Sequence, residues 1–451
     1  MNKLLFIRTR GNMAVLSKIL EQLNTFLWNF PMLVLLLGTH IYFTIKSGFI
    51  QRFIPRGIKL SFSKQTNTEN GITPYEALST ALAATIGTGN IIGISTAIAI
   101  GGPGAVFWCW ITGVFGIATC YAEAFLSSKY HVKNEERQYT GGPMYVLKNV
   151  LHMKYTAIIF ALFAALASLG IGSSVQANSI CTAVTEHFSI SPHLLGIITA
   201  IAAGFVVLGG VRQIAKVCTF LVPFMSLFYL AGCIYLLVLH RHFAPEAIFV
   251  IVKSAFSSKS FIGGVTGTAV TIGIRTGISR GLFTNEAGLG SIPMTSAASD
   301  CPSPDKQGLI SMTGPFWDTV VICAVTGIVI VSSMLHYPLE YSNIAADRLC
   351  FESFSKLPFF GGEMLSISLV LFAFATIIGW CYYGECCVHF LFGNRGLSIY
   401  HIIYIVFIYL GMVIPLNLVW NLSDLLNSLM AIPNLICLWL LRNTISYHEN
   451  P

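Results

Sequence analysis

Stretches of about 20 mostly apolar residues, each long enough to cross the hydrocarbon core of a bilayer as a helix, recur along this chain from residue 26 almost to Arg442. A soluble fold has nowhere to bury them, because 55% of the 451 residues are hydrophobic and only 10% are charged, against about 25% charged in an ordinary soluble domain. The chain is therefore read as an all-α polytopic membrane protein embedded in lipid. Hydropathy places spans near 26–46, 78–100, 104–128, 156–184, 193–209 and 216–240, then a broken pair at 261–299, then 309–335, 362–392, 399–415 and 418–441. That is about eleven spans if the broken pair counts as one. Residues 1–25 form an N-terminal tail and 443–451 a C-terminal one.

The tail carries Lys3, Arg8, Arg10 and Lys18 but no short apolar core ending in a small-residue cleavage site, so a cleaved signal peptide is not expected. The 12 cysteines are scattered, and the adjacent pair Cys386 and Cys387 lacks zinc or redox spacing, so they are read as small core residues. The net charge of +7 fits the basic loops that membrane insertion requires and calls for no nucleic acid. An odd number of spans puts the termini on opposite sides. Placing the first loop inside puts Lys46, Lys129, Lys133, Arg137, Lys148 and Lys154 there too, which predicts a cytoplasmic C-terminus, although the basic N-terminal tail counts against it. The expected location is the cell membrane, a bacterial inner or plasma membrane, with multiple passes.

Two spans are interrupted. In Ala84-Thr-Ile-Gly-Thr-Gly-Asn-Ile-Ile-Gly93 the glycines remove helix propensity in mid-membrane. Unwound backbone at that depth survives only where it faces protein or a water-filled cavity. A second polar, glycine-rich segment, Gly277 to Ser291, breaks the span that starts near Phe261. Breaks at matching places in two halves point to an inverted-repeat carrier, here residues 78–240 and 261–442 with five helices each. Half-helix N-termini offer N–H groups to a carboxylate, and released carbonyls offer oxygens to a cation. A zwitterion suits both. Isolated glycines such as Gly93 and Gly172 more often serve close helix packing, but clustering beside Asn90 and Asn285 argues for binding.

Charged groups inside spans are costly and functional by default. Glu286, at the start of a half-helix, either caps that helix or pairs with Arg280. Asp318, in Phe316-Trp-Asp-Thr-Val320, suits a cation path or a gate, whereas Glu123 and Glu385 lie near span ends and reach water. Arg280, Glu286 and Asp318 are thus candidate gating or structural charges, with Asp424 also to be weighed. An enzyme is disfavoured. The 11 histidines are dispersed, with no His-x-x-x-His pair and no Gly-x-Ser-x-Gly elbow, so no catalytic residues and no cofactor are expected. Nothing suggests the filter or pore ring of a channel.

Ala84-Thr-Ile-Gly-Thr-Gly-Asn90, Gly101-Gly-Pro-Gly-Ala-Val-Phe-Trp108, Gly141-Gly-Pro-Met-Tyr145, Arg280-Gly-Leu-Phe-Thr-Asn-Glu-Ala-Gly288, Phe374-Ala-Thr-Ile-Ile-Gly-Trp380 and Met430-Ala-Ile-Pro-Asn434 together resemble the alanine or glycine:cation symporter family, in that order and over most of the chain. The resemblance implies a LeuT-type 5+5 inverted repeat with one extra N-terminal helix, and sodium-driven uptake of alanine, glycine or a close relative by alternating access. It also implies a substrate held between the broken first and sixth core helices. Carried over by motif, Gly87, Thr88, Gly89 and Asn90 are carboxylate and backbone contacts, Gln176 a polar partner, and Phe283, Thr376 and Trp380 the wall. The sodium site implied in the same way is the carbonyls of Ala84 and Gly87 with Thr376. Thr284 stands where the family usually has serine, and Arg275 is an unexpected charge that puts the amine contact there in question. A proton-coupled carrier and an ion-independent exchanger are the rival transport modes.

Overall fold

The computed structural model describes residues 31–63, 71–135, 137–185, 188–257, 269–341, 344–414 and 417–445, with short helical pieces at 18–20, 22–24 and 26–28. Helix α1 (Pro31–Lys46) precedes a span made of two halves, α2 (Pro74–Thr85) and α3 (Ile92–Gly101), bent by 59° where they meet. Next come α4 (Gly104–Lys129) and α5 (Lys154–Ala167), the latter continuing through a π-helical turn, Ser168–Ser174, into α6 (Val175–Thr185). Helices α7 (Pro192–Val207), α8 (Gly210–Leu239) and α9 (Ala244–Phe256) lead to the second broken pair, α10 (Ala269–Asn285) and α11 (Ile292–Ala298). Helix α12 (Pro304–Ser311) runs through another π-helical turn, Phe316–Cys323, into α13 (Ala324–His336). Helices α14 (Gly361–Phe392), α15 (Asn394–Val413) and α16 (Asn417–Leu440) complete the chain. Among the described residues the only paired strands are β1 (Val132–Lys133) and β2 (Tyr139–Thr140), antiparallel with Val132 opposite Thr140.

Among the described residues eight helices are long and apolar enough to cross a membrane, and the bent α2–α3 pair adds a ninth span. With the shorter apolar α7 and the broken α10–α11, these correspond one for one to the spans read from hydropathy. The expected start of the second broken span at Phe261 lies outside the described residues. Helix α9 falls between the spans that hydropathy places at 216–240 and 261–299. Its buried residues, Ala247, Val250, Ile251 and Ala255, fall on one face, so it packs by one stripe. At 13 residues, with Glu246 and Lys253 among them, it gives no span-like signal.

Local chemistry explains where the broken span begins. Thr73 Oγ1 accepts the Glu76 N–H at 3.1 Å while Glu76 Oε2 accepts the Thr73 N–H at 2.7 Å, and Pro74 takes the first helical position. This reciprocal cap fixes the start of α2.

Glycines set how closely the broken helices approach their neighbours. Gly273, Gly277 and Gly281 repeat every fourth residue along α10, and the backbone around Gly101, Ala105 and Cys109 comes up against them. A Cβ on Gly273 would lie 2.8 Å from the Gly101 carbonyl oxygen. Gly277, read above as part of the unwound segment, is therefore a packing glycine inside a helix, on a small-xxx-small stripe.

Candidate substrate and cation site

The first break is held open by one side chain. In a continuing helix the Gly87 N–H would bond to the Ala83 carbonyl; here it donates to Asn90 Oδ1 at 2.9 Å, and the last regular bond of the segment runs from the Ile86 N–H to the Leu82 carbonyl at 2.8 Å. The C-terminal carbonyls of α2, Ala84 among them, thus end at the break, carrying the negative end of the helix dipole. A short 3-10 turn, Thr88–Asn90, then leads into α3 and places the N–H groups of Thr88 and Gly89 at its front.

Helix α14 closes over this break. A Cβ on Gly379 would sit 2.7 Å from the Ala84 nitrogen, and one on Gly87 only 2.6 Å from Thr376 Oγ1. Ala84 and Gly87 therefore face Gly379 and Thr376 along the same contact, with no room for a methyl group at either glycine. From α6, Gln176 Oε1 accepts the Thr88 hydroxyl at 3.2 Å while its Nε2 donates to the Ile171 carbonyl at 3.2 Å. Ala84, Gly87, Thr88, Gln176 and Thr376 are all buried, and the fold brings them together.

Asn90 is placed differently from a side chain free to meet a carboxylate. Its Nδ2 donates to Asp318 Oδ1 at 2.6 Å, and also faces the Asp318 carbonyl and Cys323 Sγ, each at 3.2 Å. Asp318 is fully buried in the π-helical turn, and its other oxygen accepts the Thr319 hydroxyl at 2.6 Å. Extra backbone width at a π turn is a common device at functional sites. Thr284, Thr319 and Cys323 surround this pair, and none of the three except Thr284 stood out in the sequence.

The second break is built to a different plan. Glu286, Gly288 and Gly290 all have positive φ, so the chain turns through left-handed conformations that glycine adopts freely and glutamate does not. Glu123 Oε2 accepts the Gly288 N–H and Oε1 the Gly290 N–H, each at 3.1 Å. Asn434 from α16 donates to Glu123 Oε1 at 2.6 Å and to the Gly288 carbonyl at 2.9 Å. Asn285 Oδ1 takes the Ala287 N–H at 3.1 Å, and its buried Nδ2 has no hydrogen-bond partner among the described residues. Glu123 thus does not reach water, as its place near a span end suggested; it is 2% exposed and seals the loop.

Glu286 resolves the alternative left open by the sequence. Its oxygens accept the Ser291 hydroxyl at 2.6 Å and Trp380 Nε1–H at 3.0 Å, so it serves the turn leading into α11 and does not pair with Arg280. Glu123, Asn285 and the Glu286 carbonyl take the N–H groups of Ala287, Gly288, Leu289 and Gly290, so these donors of the second break are occupied by the protein itself. The first break is the one with N–H groups facing forward.

Arg280 instead lines a cleft of about 490 Å³ with Asn24, Trp28, Arg275, Phe283 and Asp424. Phe283 borders both regions: its ring lines the cleft, and its Cδ1 lies 3.6 Å from where a Gly89 side chain would begin. Gly89 is the half-buried residue of an otherwise buried turn. Trp380 is buried, with its backbone-proximal atoms against Gly172 and its ring edge-on to Tyr383 at 5.5 Å. Gly172 is thus a packing glycine, and the Tyr383 hydroxyl beside Trp380 is a further buried group with no hydrogen-bond partner among the described residues. Glu385 is also buried, bonded to His401 at 2.8 Å.

Residues 13–449 match the family model described as the sodium:alanine symporter family. The chain is 42% identical to the sodium/alanine symporter AgcS of Methanococcus maripaludis over 434 residues, covering 95% of each chain. It is 35% identical to the probable sodium/glutamine symporter GlnT of Bacillus subtilis, covering 96% of this chain and 89% of that one. Among solved structures it is similar to a substrate-bound, outward-open sodium-coupled sialic acid symporter, at 11% identity, with a TM-score of 0.53 over 94% of this chain and 83% of that one. At that identity the likeness shows the fold alone, the LeuT-type arrangement that the family resemblance implies. The chain is a multi-pass membrane transporter, not an enzyme, and belongs to the sodium:alanine symporter family.

Proposed function

We propose that the protein takes up a small neutral amino acid, alanine or glycine, together with sodium, by alternating access. The observation that carries this reading is the contact of Gly87 with Thr376, where even a methyl group would come within 2.6 Å of the hydroxyl. It brings the carbonyl end of α2 against a hydroxyl of α14, the donor set of a sodium site made from Ala84, Gly87 and Thr376. The forward N–H groups of Thr88 and Gly89 take the substrate carboxylate, and the C-terminal carbonyls of α10 around Phe283 take its ammonium group. Gln176 orients Thr88. Asn90 acts through the backbone, by holding Gly87 open and tying the break to Asp318.

Size selection rests on Gly89, Phe283 and Trp380. A Cβ on Gly89 would already meet Thr284 Cγ2 at 2.9 Å, so little space remains around a substrate side chain. Residues 78–240 and 261–442 are the two inverted repeats of this reading. The C-terminus lies in the cytoplasm and the cleft beside Arg280 opens outward, following the positive-inside bias.

The test is uptake of labelled alanine, glycine, serine and glutamine into proteoliposomes, with an inward sodium gradient, a proton gradient or neither. Sodium-dependent uptake of alanine or glycine is expected. Equal rates without sodium would overturn the coupling, and preferential uptake of glutamine would overturn the substrate.

A further inference from the structure

Away from the two breaks, three side chains of different chemistry converge on one point. Cys381 and Glu385 are four residues apart on α14, hence on one helix face, and His401 approaches from α15. Both of the others address the same carboxylate oxygen: His401 Nε2 lies 2.8 Å from Glu385 Oε1, and Cys381 Sγ lies 3.8 Å from it. The three donor atoms all fall within 4.8 Å of one another. With metal–ligand bonds of about 2.0–2.3 Å, tetrahedral coordination sets neighbouring donors about 3.3–3.8 Å apart, so opening the imidazole–carboxylate pair by about half an ångström completes a three-point ligand set.

A hydrogen-bonded Glu–His pair with a thiol behind it would satisfy the same groups without a metal. Two further features separate this cluster from such a pair. Glu385 and His401 line a cleft of about 250 Å³, together with Tyr382, Cys386, His389 and Arg212, which gives an ion access to two of the three ligands. The Cys381 carbonyl also receives the Tyr400 hydroxyl at 3.4 Å, and that hydroxyl in turn meets Ser168 Oγ at 2.9 Å, so an outer layer of bonds fixes the thiol-bearing turn. A sulfur, nitrogen and oxygen set disfavours sodium, magnesium and calcium and suits zinc.

We propose that Cys381, Glu385 and His401 form a zinc-type divalent cation site whose occupancy staples α14 to α15 and slows transport. Binding forms three metal–ligand bonds, releases the thiol proton to water and moves the proton of the Glu385–His401 hydrogen bond to His401 Nδ1 or to water; no redox change is involved. The consequence for transport follows from position: Cys381 adjoins Trp380, and Thr376 lies one turn further along the same helix. The ligand set stands independently of the sodium and substrate assignment, and its effect on transport rests on that reading.

The experiment uses the full-length transporter purified in detergent micelles, with zinc and cobalt ions as the probes. Calorimetry on the wild-type protein should show one zinc ion per chain, and cobalt should give the absorption band of a thiolate-to-metal charge transfer. Cys381→Ser should abolish that band and, like His401→Gln, weaken zinc binding at least ten-fold, whereas His401→Cys, which keeps a ligand, should retain it. Each variant is compared with wild type by size-exclusion profile and melting temperature in metal-free buffer. In proteoliposomes, zinc supplied to both faces should slow uptake by the wild type but not by Cys381→Ser. Absence of the cobalt band in the wild type, or an unchanged band in Cys381→Ser, overturns the site. Zinc bound by these residues without slower uptake overturns its effect on transport.

Discussion

The side-chain amide of Asn90 donates to Asp318 Oδ1 at 2.6 Å, joining the first break to a π-helical turn 228 residues further along the chain. Both residues are fully buried, and this is the shortest bond that the Asn90 amide makes. Asp318→Ala is expected to lower stability by about 1–3 kcal/mol, the cost of leaving a buried donor unpaired, and to reduce uptake at least ten-fold. Asp318→Asn keeps an acceptor oxygen and should lose less of both. Thermal unfolding of the purified variants and uptake in proteoliposomes measure the two effects.

Glu123 receives two peptide N–H groups and the Asn434 amide. Glu123→Ala orphans all three in the apolar core, and at about 1–3 kcal/mol for each buried donor the variant should be strongly destabilised and poorly recovered from membranes. Glu123→Gln retains one acceptor oxygen and should express and melt much closer to wild type. Equal melting temperatures for wild type and Glu123→Ala would remove this role.

The two glycines of the first break should behave differently on gaining a methyl group. Gly87→Ala forces a contact with Thr376 Oγ1, so the rise in melting temperature caused by sodium should vanish. Adding Thr376→Ala should restore baseline stability without restoring the sodium response. Gly89→Ala projects toward Thr284 and Phe283 and should shift preference toward glycine over alanine. Competition of each amino acid against labelled alanine gives the ratio.

Trp380→Phe keeps an aromatic ring but removes the N–H that reaches Glu286 at 3.0 Å. A loss of about 1–3 kcal/mol is expected, with weaker substrate binding, since the indole joins α14 to the turn before α11. Calorimetric titration with alanine in saturating sodium would show it. Unchanged affinity and stability would mean that Ser291 alone holds Glu286.

Much of this arrangement was legible in the sequence. Apolar length located the spans, and glycine clustering located the first break within a few residues, because both are local properties of the chain. That Gly87, Thr88, Gln176 and Thr376 share one place followed from the family resemblance and not from any local property of the chain. Long-range partnerships were not legible. Nothing near Glu123 announces that it will meet Gly288, and nothing near Asn90 announces Asp318. Arg280 and Glu286, close in sequence, suggested an ion pair, yet Ser291 and Trp380 satisfy the carboxylate from nearer at hand. For Cys381 and Glu385 the helical spacing was visible, but the approach of His401 depends on how α15 packs.

The bonds from Asn434 to Glu123 and Gly288 span 311 and 146 residues, which sets an order of assembly. A chain emerging from the ribosome inserts α4 long before α10, and α10 long before α16. Until the last helix arrives, the loop between α10 and α11 has its glutamate but not the amide that orients it. The C-terminal helix is thus a closing clasp, and a chain cut short before Asn434 would leave an exposed polar loop in lipid for membrane quality control to detect.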